Sequence, residues 1–140
     1  MYYVAEMDTS RQPAWRPSVW TGRALSGLVI LFLAMDAAMK IAALPIVSET
    51  AVTIGWSGDP GFWQAMGVLL LAITALYAWP RTAVLGAILL TGYLGGALAT
   101  HLRIGSPFFS HTLFGVYLGI ATWGGLWLRD PRIRSILPVG

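Results

Sequence analysis

Of 140 residues, 56% are hydrophobic and only 11% are charged, with a mean hydropathy of +0.68, about half the charge expected of a soluble domain. Such a chain is an integral membrane protein of a single domain, too short for a membrane bundle plus a separate soluble module. The absence of cysteine excludes disulfides, thiol redox exchange and iron–sulfur ligation. The net charge of +3 does not point to nucleic acid, because the basic residues fall at the ends of apolar segments and form no stripe interleaved with exposed aromatics.

Residues 1–23 form a basic leader containing Arg11, Arg16 and Arg23. The first apolar segment, 24–44, is too long and too charged for a signal-peptide core, and no small-residue cleavage site precedes Pro45, so it reads as a retained anchor. Three more apolar segments follow at 62–79, 82–100 and 108–128. Each approaches the roughly 20 residues that cross about 30 Å of hydrocarbon. The expected fold is all-α: an antiparallel four-helix membrane bundle, followed by a tail, 129–140, with a short amphipathic piece from Pro131 to Leu137.

The punctuation between segments is helical. Asp59-Pro60, Ser106-Pro107 and Asp130-Pro131 each place a capping side chain ahead of a proline at the first helical position. Only Pro80 and Arg81 separate the second and third segments, which forces a tight hairpin. The longer connection from Pro45 to Gly61 mixes apolar residues with Glu49 and suits a surface-lying helix ending at Gly55.

Arginines set the orientation. Arg11, Arg16, Arg23, Arg81, Arg129, Arg132 and Arg134 fall on one side and only Arg103 on the other, which places both termini in the cytoplasm. Trp20, Trp79, Trp123 and Trp127 then mark the inner boundary, and Trp56 and Trp63 the outer. The protein is accordingly expected in an inner (cytoplasmic) membrane.

Helices in lipid associate where small residues let backbones approach. Ala34, Ala38 and Ala42 in the first segment, Gly92, Gly96 and Thr100 in the third, and Gly115 and Gly119 in the fourth recur at intervals of four. This pattern predicts that the third segment is the central packing helix, with a substrate channel as the less common cause of such a glycine run.

The polar residues of the spans supply the candidate site. Asp36 and Lys40 lie one turn apart in the first segment, where either charge facing lipid would cost about 3 kcal/mol. Gln64, Tyr93, His101, Arg103 and His111 occupy the same half of the bilayer, and Tyr93 and His101 share one helix face. Together they predict an outward-facing polar pocket with an apolar floor. The competing reading is an internal Asp36–Lys40 salt bridge, with the remaining groups snorkelling to the interface.

A metal would need three or four ligands from His101, His111, Asp36 and Glu49, and no pair has i, i+4 spacing on one helix, so no metal is expected. A haem between the two histidines would be poorly buried. Ser110 precedes His111, but neighbours on an α-helix point apart and no nucleophile-elbow motif surrounds them.

The run from Thr91 to Arg103, TGYLGGALATHLR, followed by Gly105, Pro107 and His111, resembles the DoxX-like family of small four-helix bacterial membrane proteins. The likeness extends through Asp36 and Lys40, the Pro80-Arg81-Thr82 hairpin and the Leu128-Arg129-Asp130-Pro131 terminus, covering about Thr21 to Pro138. It implies the same four-helix bundle. The family takes its name from a subunit associated with a thiosulfate:quinone oxidoreductase, and other relatives are linked to oxidative-stress or redox assemblies, but the resemblance carries no general reaction. Quinone-linked four-helix oxidoreductases of other families use cysteine pairs, which this chain lacks.

The expected function is that of a binding or accessory protein whose pocket takes a small amphipathic molecule, quinone- or lipid-like. Lys40, Arg103 and the histidines would meet its polar head, and Tyr93 and the apolar floor its body. Two other readings stand beside it: a structural subunit of a larger membrane complex, and a small enzyme moving protons through Asp36 or His101. No cofactor is specified, a quinone being compatible.

Overall fold

The computed structural model describes residues 17–137. Among them are six α-helices: α1 (Pro17–Ile41), α2 (Pro45–Thr53), α3 (Pro60–Ala78), α4 (Ala83–Arg103), α5 (Phe114–Arg129) and α6 (Pro131–Ile136), with a π-helical turn, Phe108–Thr112, leading into α5. No strand occurs among the described residues. Arg11 and Arg16 of the leader lie outside them.

Three helices, α1, α3 and α4, are long and apolar enough to cross a membrane. Their outward faces carry large exposed hydrophobic side chains, among them Leu31, Val68 and Ile88, which in a membrane protein meet lipid tails rather than water. The expected fourth segment, 108–128, is not one continuous α-helix: the π-helical turn occupies its first five residues, and α5 begins only at Phe114.

α1 already spans Pro17 onward, seven residues ahead of the apolar segment, and Thr21 Oγ1 donates to the Pro17 carbonyl at 2.8 Å. Hydropathy marks the apolar part of a helix and not its start. α1 closes in a Schellman turn, with Leu44 N–H donating to the Met39 carbonyl and Ala43 N–H to the Lys40 carbonyl. The left-handed residue there is Ala43, at φ 52°. Pro45 then opens α2, the short helix anticipated before Gly55. Asp59 caps α3 by accepting from the backbone N–H of Gly61 and Phe62, and Asp130 caps α6 through Arg132 N–H.

α1 and α4 lie on a diagonal, each packed against α3 and α5. The core between them is built on Leu33, Leu70, Tyr77, Leu90 and Leu126. α1, and not α4, makes the most extensive contacts, which corrects the expectation drawn from the glycine run. The Ala34, Ala38, Ala42 face is not the packing face either: Ala38 and Ala42 are exposed, whereas Gly22, Ser26, Val29, Leu33 and Ala37 are buried.

The close approaches occur elsewhere. A Cβ on Gly22 would lie 2.7 Å from Leu128 Cβ, one on Gly125 would lie 2.6 Å from Ser26 Oγ, and one on Gly86 would run into the Tyr77 backbone. These three glycines bring α1 against α5, and α4 against α3, at the end that holds the 79–82 turn, here called the hairpin end. Gly67 does the same for α3 against α1 beside Lys40.

Candidate functional site

At the opposite end a cavity of about 470 Å³ lies among α1, α3, α4 and α5. That volume is within the usual range for small-molecule sites. Most of its wall is apolar: Phe32 and Leu33 from α1, Phe62 and Met66 from α3, Leu94 and Leu98 from α4, Phe114 and Leu118 from α5. Phe32 and Phe114 meet at 5.4 Å between ring centroids, which joins α1 to α5 along one side.

Gly92 and Gly96 also line it, and a Cβ on either would meet nothing within 4 Å. The glycine run expected to pack helices therefore clears space instead. A sequence pattern shows that small residues share a face, but not whether a neighbouring helix stands opposite.

The polar lining starts with Asp36 and Lys40, which form an ion pair on α1. Acid before base at i, i+4 is the favourable order on a helix, and Lys40 in the last turn also meets the negative end of the helix dipole. The Lys40 side chain is 12% exposed and that of Asp36 37%. The two expectations weighed for this pair are thus compatible: the residues are bonded to each other and also border the cavity. Tyr93 lines the wall contributed by α4.

Local backbone geometry positions the two histidines. Gly105, at φ 68°, closes α4 with Ser106 N–H on the His101 carbonyl. That turn folds Ser106 back over the helix end, where its Oγ lies 2.9 Å from His101 Nδ1. Ser106 was expected to cap the following helix, yet Pro107 and the π-helical turn take no side-chain cap. Ser110 Oγ lies 2.8 Å from His111 Nδ1, so these adjacent residues, expected to diverge, are in fact bonded. Hydroxyl and imidazole one residue apart can meet through a local side-chain bond, and the π-helical backbone departs from α-helical directions here.

The imidazole rings stand 6.1 Å apart. With both Nδ1 atoms engaged by serine hydroxyls, each ring has its Nε2 left, for which no hydrogen-bond partner exists among the described residues.

Two expected site residues lie outside the lining. Gln64 Nε2 donates to the Ile41 carbonyl at 3.1 Å, and Arg103 Nη2 to the Ile54 carbonyl at 3.3 Å. Both carbonyls belong to helix C-terminal ends, which lack intrahelical donors and so recruit side-chain N–H groups. These residues tie the rim together. Asp36, Lys40, Tyr93, His101 and His111 do border one cavity.

Sequence reasoning missed the aromatic rim. Gly55, at φ 80°, ends α2 with Trp56 N–H on the Ala51 carbonyl, and Trp56 then reaches across to donate from Nε1 to Thr100 Oγ1 at 3.2 Å. Its ring stacks on Phe62 at 5.9 Å, with Trp63 edge-on at 6.5 Å. Trp56 and Trp63, expected at the outer boundary, also border the cavity. No local signal links Trp56 to Thr100, which are 44 residues apart. Among the described residues no group of three His, Asp or Glu side chains is placed to hold a metal ion.

Apolar helices of membrane-spanning length, with a mostly apolar cavity at one end of the helices, define an integral membrane protein. The chain belongs to the DoxX-like family, whose model matches residues 24–125. No curated protein and no solved structure matches it.

Proposed function

We propose that the protein crosses the bacterial inner membrane four times, with both termini in the cytoplasm, and holds a small amphipathic molecule, quinone- or lipid-like, in the cavity. α5 and the π-helical turn before it together provide the fourth crossing of an antiparallel bundle. The arginine asymmetry turns the cavity end outward.

The observation that carries this reading is a cavity in which open apolar walls meet two imidazoles with free Nε2 atoms. A hydroxyl head donates to Nε2 or accepts from it according to tautomer, a carbonyl head accepts from Nε2–H, and Phe32, Phe62, Leu94 and Phe114 take the body by apolar burial. Tyr93 and the Asp36–Lys40 pair flank the head. Such a holder fits an accessory component of a redox or stress-related membrane system, the setting that the family resemblance implies.

A purely structural subunit is the reading that the Asp36–Lys40 pair favours, since that pair satisfies itself. The two readings part on the histidines. In protein purified from its native membrane, the double variant His101→Leu, His111→Leu should lose a copurified organic molecule detected by solvent extraction and mass spectrometry, with the melting temperature shifted by only about 2 °C, as for a minor surface change. Unchanged extracts together with a large drop in melting temperature would assign the histidines to structure.

A further inference from the structure

The cavity is not closed along its whole length. Between α4 and α5 runs a second, almost wholly apolar cleft of about 360 Å³, and three residues, Leu94, Leu98 and Gly115, belong to the walls of both spaces. Further along the cleft Gly95 leaves open space, and a Cβ on Gly119 would first meet Leu94 Cδ1 at 4.0 Å. The two spaces thus adjoin: α5 comes close to α4 at Gly115, whose Cβ would lie 3.2 Å from the Leu94 carbonyl oxygen, and beside that approach the Leu94 and Leu98 side chains stand between them.

We propose that the molecule held in the cavity carries a flexible apolar tail, and that this tail leaves between α4 and α5 along the cleft into the lipid. The inference rests on the cavity reading given above and adds the chemical class of ligand: a compact polar head on a long unbranched or isoprenoid-like chain.

Three features point to a tail as occupant. First, the only polar side chains of the cleft, Thr91 and Trp123, are bonded to each other, Trp123 Nε1 donating to Thr91 Oγ1 at 2.9 Å. The cleft therefore offers a ligand no unmet donor or acceptor, and apolar burial is what remains to hold an occupant. Second, the order of groups along α4 is graded, with His101 at the helix end, Leu98 and Leu94 below, and Thr91 at the far end of the cleft. At 1.5 Å per residue, His101 and Thr91 are about 15 Å apart along the axis, so a molecule touching both ends must be elongated with its polar group at one end. Third, beside the Gly115 approach the side chains that divide the two spaces are leucines, and rotation of Leu98 about its staggered rotamers would open a passage without breaking a hydrogen bond. A compact ligand would leave the cleft unused.

The full-length protein in lipid nanodiscs can be tested with two bromine-tagged phenols, since bromine quenches tryptophan only at short range. Ring-brominated cresol reports the head through Trp56 and Trp63. A phenol bearing a decyl chain with a terminal bromine reports the tail through Trp123, whose share of the signal is the difference between wild type and Trp123→Phe. Bromodecane, lacking a head, measures nonspecific quenching from the bilayer.

The expected result is saturable quenching of Trp56 and Trp63 by the cresol and of Trp123 by the chain-tagged phenol, the latter displaced by untagged decylphenol. Gly95→Leu with Gly119→Leu fills the cleft without meeting a close neighbour at Cβ. It should weaken decylphenol binding by about tenfold, as loss of two or so buried methylene groups would, and leave cresol binding within about twofold. If the cresol saturates but the chain tag never exceeds the bromodecane background at Trp123, the tail path is overturned and the cavity reading stands. If neither phenol quenches saturably, the cavity reading fails and takes the tail path with it.

Discussion

The two ends of this molecule use the same residue types for opposite purposes. At the hairpin end, Gly22, Gly86 and Gly125 sit where any Cβ would strike a neighbouring helix, and the polar groups between the helices are bonded to one another except for Arg129 Nε, which is buried without a partner among the described residues. The buried Tyr77 hydroxyl bonds Ser26 Oγ at 3.0 Å and donates to the Thr122 carbonyl at 2.8 Å, while Arg129 covers its ring at 5.2 Å and donates to its carbonyl. At the cavity end Gly67 still brings α3 against α1, but Gly92, Gly95 and Gly96 of α4 face open space, and neither histidine Nε2 has a hydrogen-bond partner among the described residues. Small residues in a membrane helix thus permit close approach but do not require it. What stands across from them decides between a seam and a space.

That contrast makes substitution at glycine the sharpest way to break the comparison. Gly86→Ala should cost about 3 kcal/mol, because the new methyl meets Tyr77 backbone that cannot swing aside. Gly96→Ala should be neutral or stabilise by up to about 0.8 kcal/mol through helix propensity alone. Thermal melts of both variants in one detergent test the difference, and equal losses would mean that both ends are packed seams.

The tyrosines give a second, smaller contrast. Tyr77→Phe strips the Ser26 hydroxyl and the Thr122 carbonyl of a buried partner and should cost about 2 kcal/mol. Tyr93, which borders the cavity and makes no side-chain hydrogen bond among the described residues, should tolerate the same change with little loss of stability while altering ligand retention. Measured melting temperatures that fall alike would show Tyr93 to be a structural group.

The smallest effect is expected just beyond α5. The Arg132 side chain, and then its backbone N–H and charge, hold the Asp130 carboxyl below the usual carboxylate range. Its ionised form caps α6, so this contribution is complete above the ordinary carboxylate pKa and disappears as pH falls through the lowered one. Asp130→Asn keeps the cap but removes the charge that pairs with Arg132, and should lower stability by about 0.5 kcal/mol at neutral pH, the worth of an exposed ion pair. The gap to wild type should close in melts below about pH 4, the carboxylate range; a gap independent of pH would show that the carboxylate charge is not what counts.

Which parts of this were legible in the sequence follows from the range of each interaction. Apolar runs and proline punctuation are local, and they located α1, α3 and α4, α2 before Gly55, and the caps at Asp59 and Asp130. Helix bounds were less visible, since α1 is already helical at Pro17–Arg23, ahead of the apolar run. Depth along a helix is nearly local too, and it brought Asp36, Lys40, Tyr93, His101 and His111 to the border of one cavity. Rotation about the axis is not local. It placed Gln64 and Arg103 against the carbonyls of Ile41 and Ile54, turned Gly92 and Gly96 toward space, and drew Trp56 to Thr100. The Tyr77–Ser26–Thr122 network gave no signal either, because a tyrosine and two small hydroxyl residues on separate apolar helices look ordinary until the helices are packed.

The central claim is that the cavity end is a space kept for a molecule, and native mass spectrometry of protein purified from its own membrane tests it most directly. Wild type should carry a nonprotein mass in stoichiometric amount, and Gly96→Leu, which fills the cavity from a position with nothing within 4 Å of its Cβ, should fold as well and carry none. Wild type without any bound mass, or a Gly96→Leu variant retaining the same mass as wild type, would contradict the account.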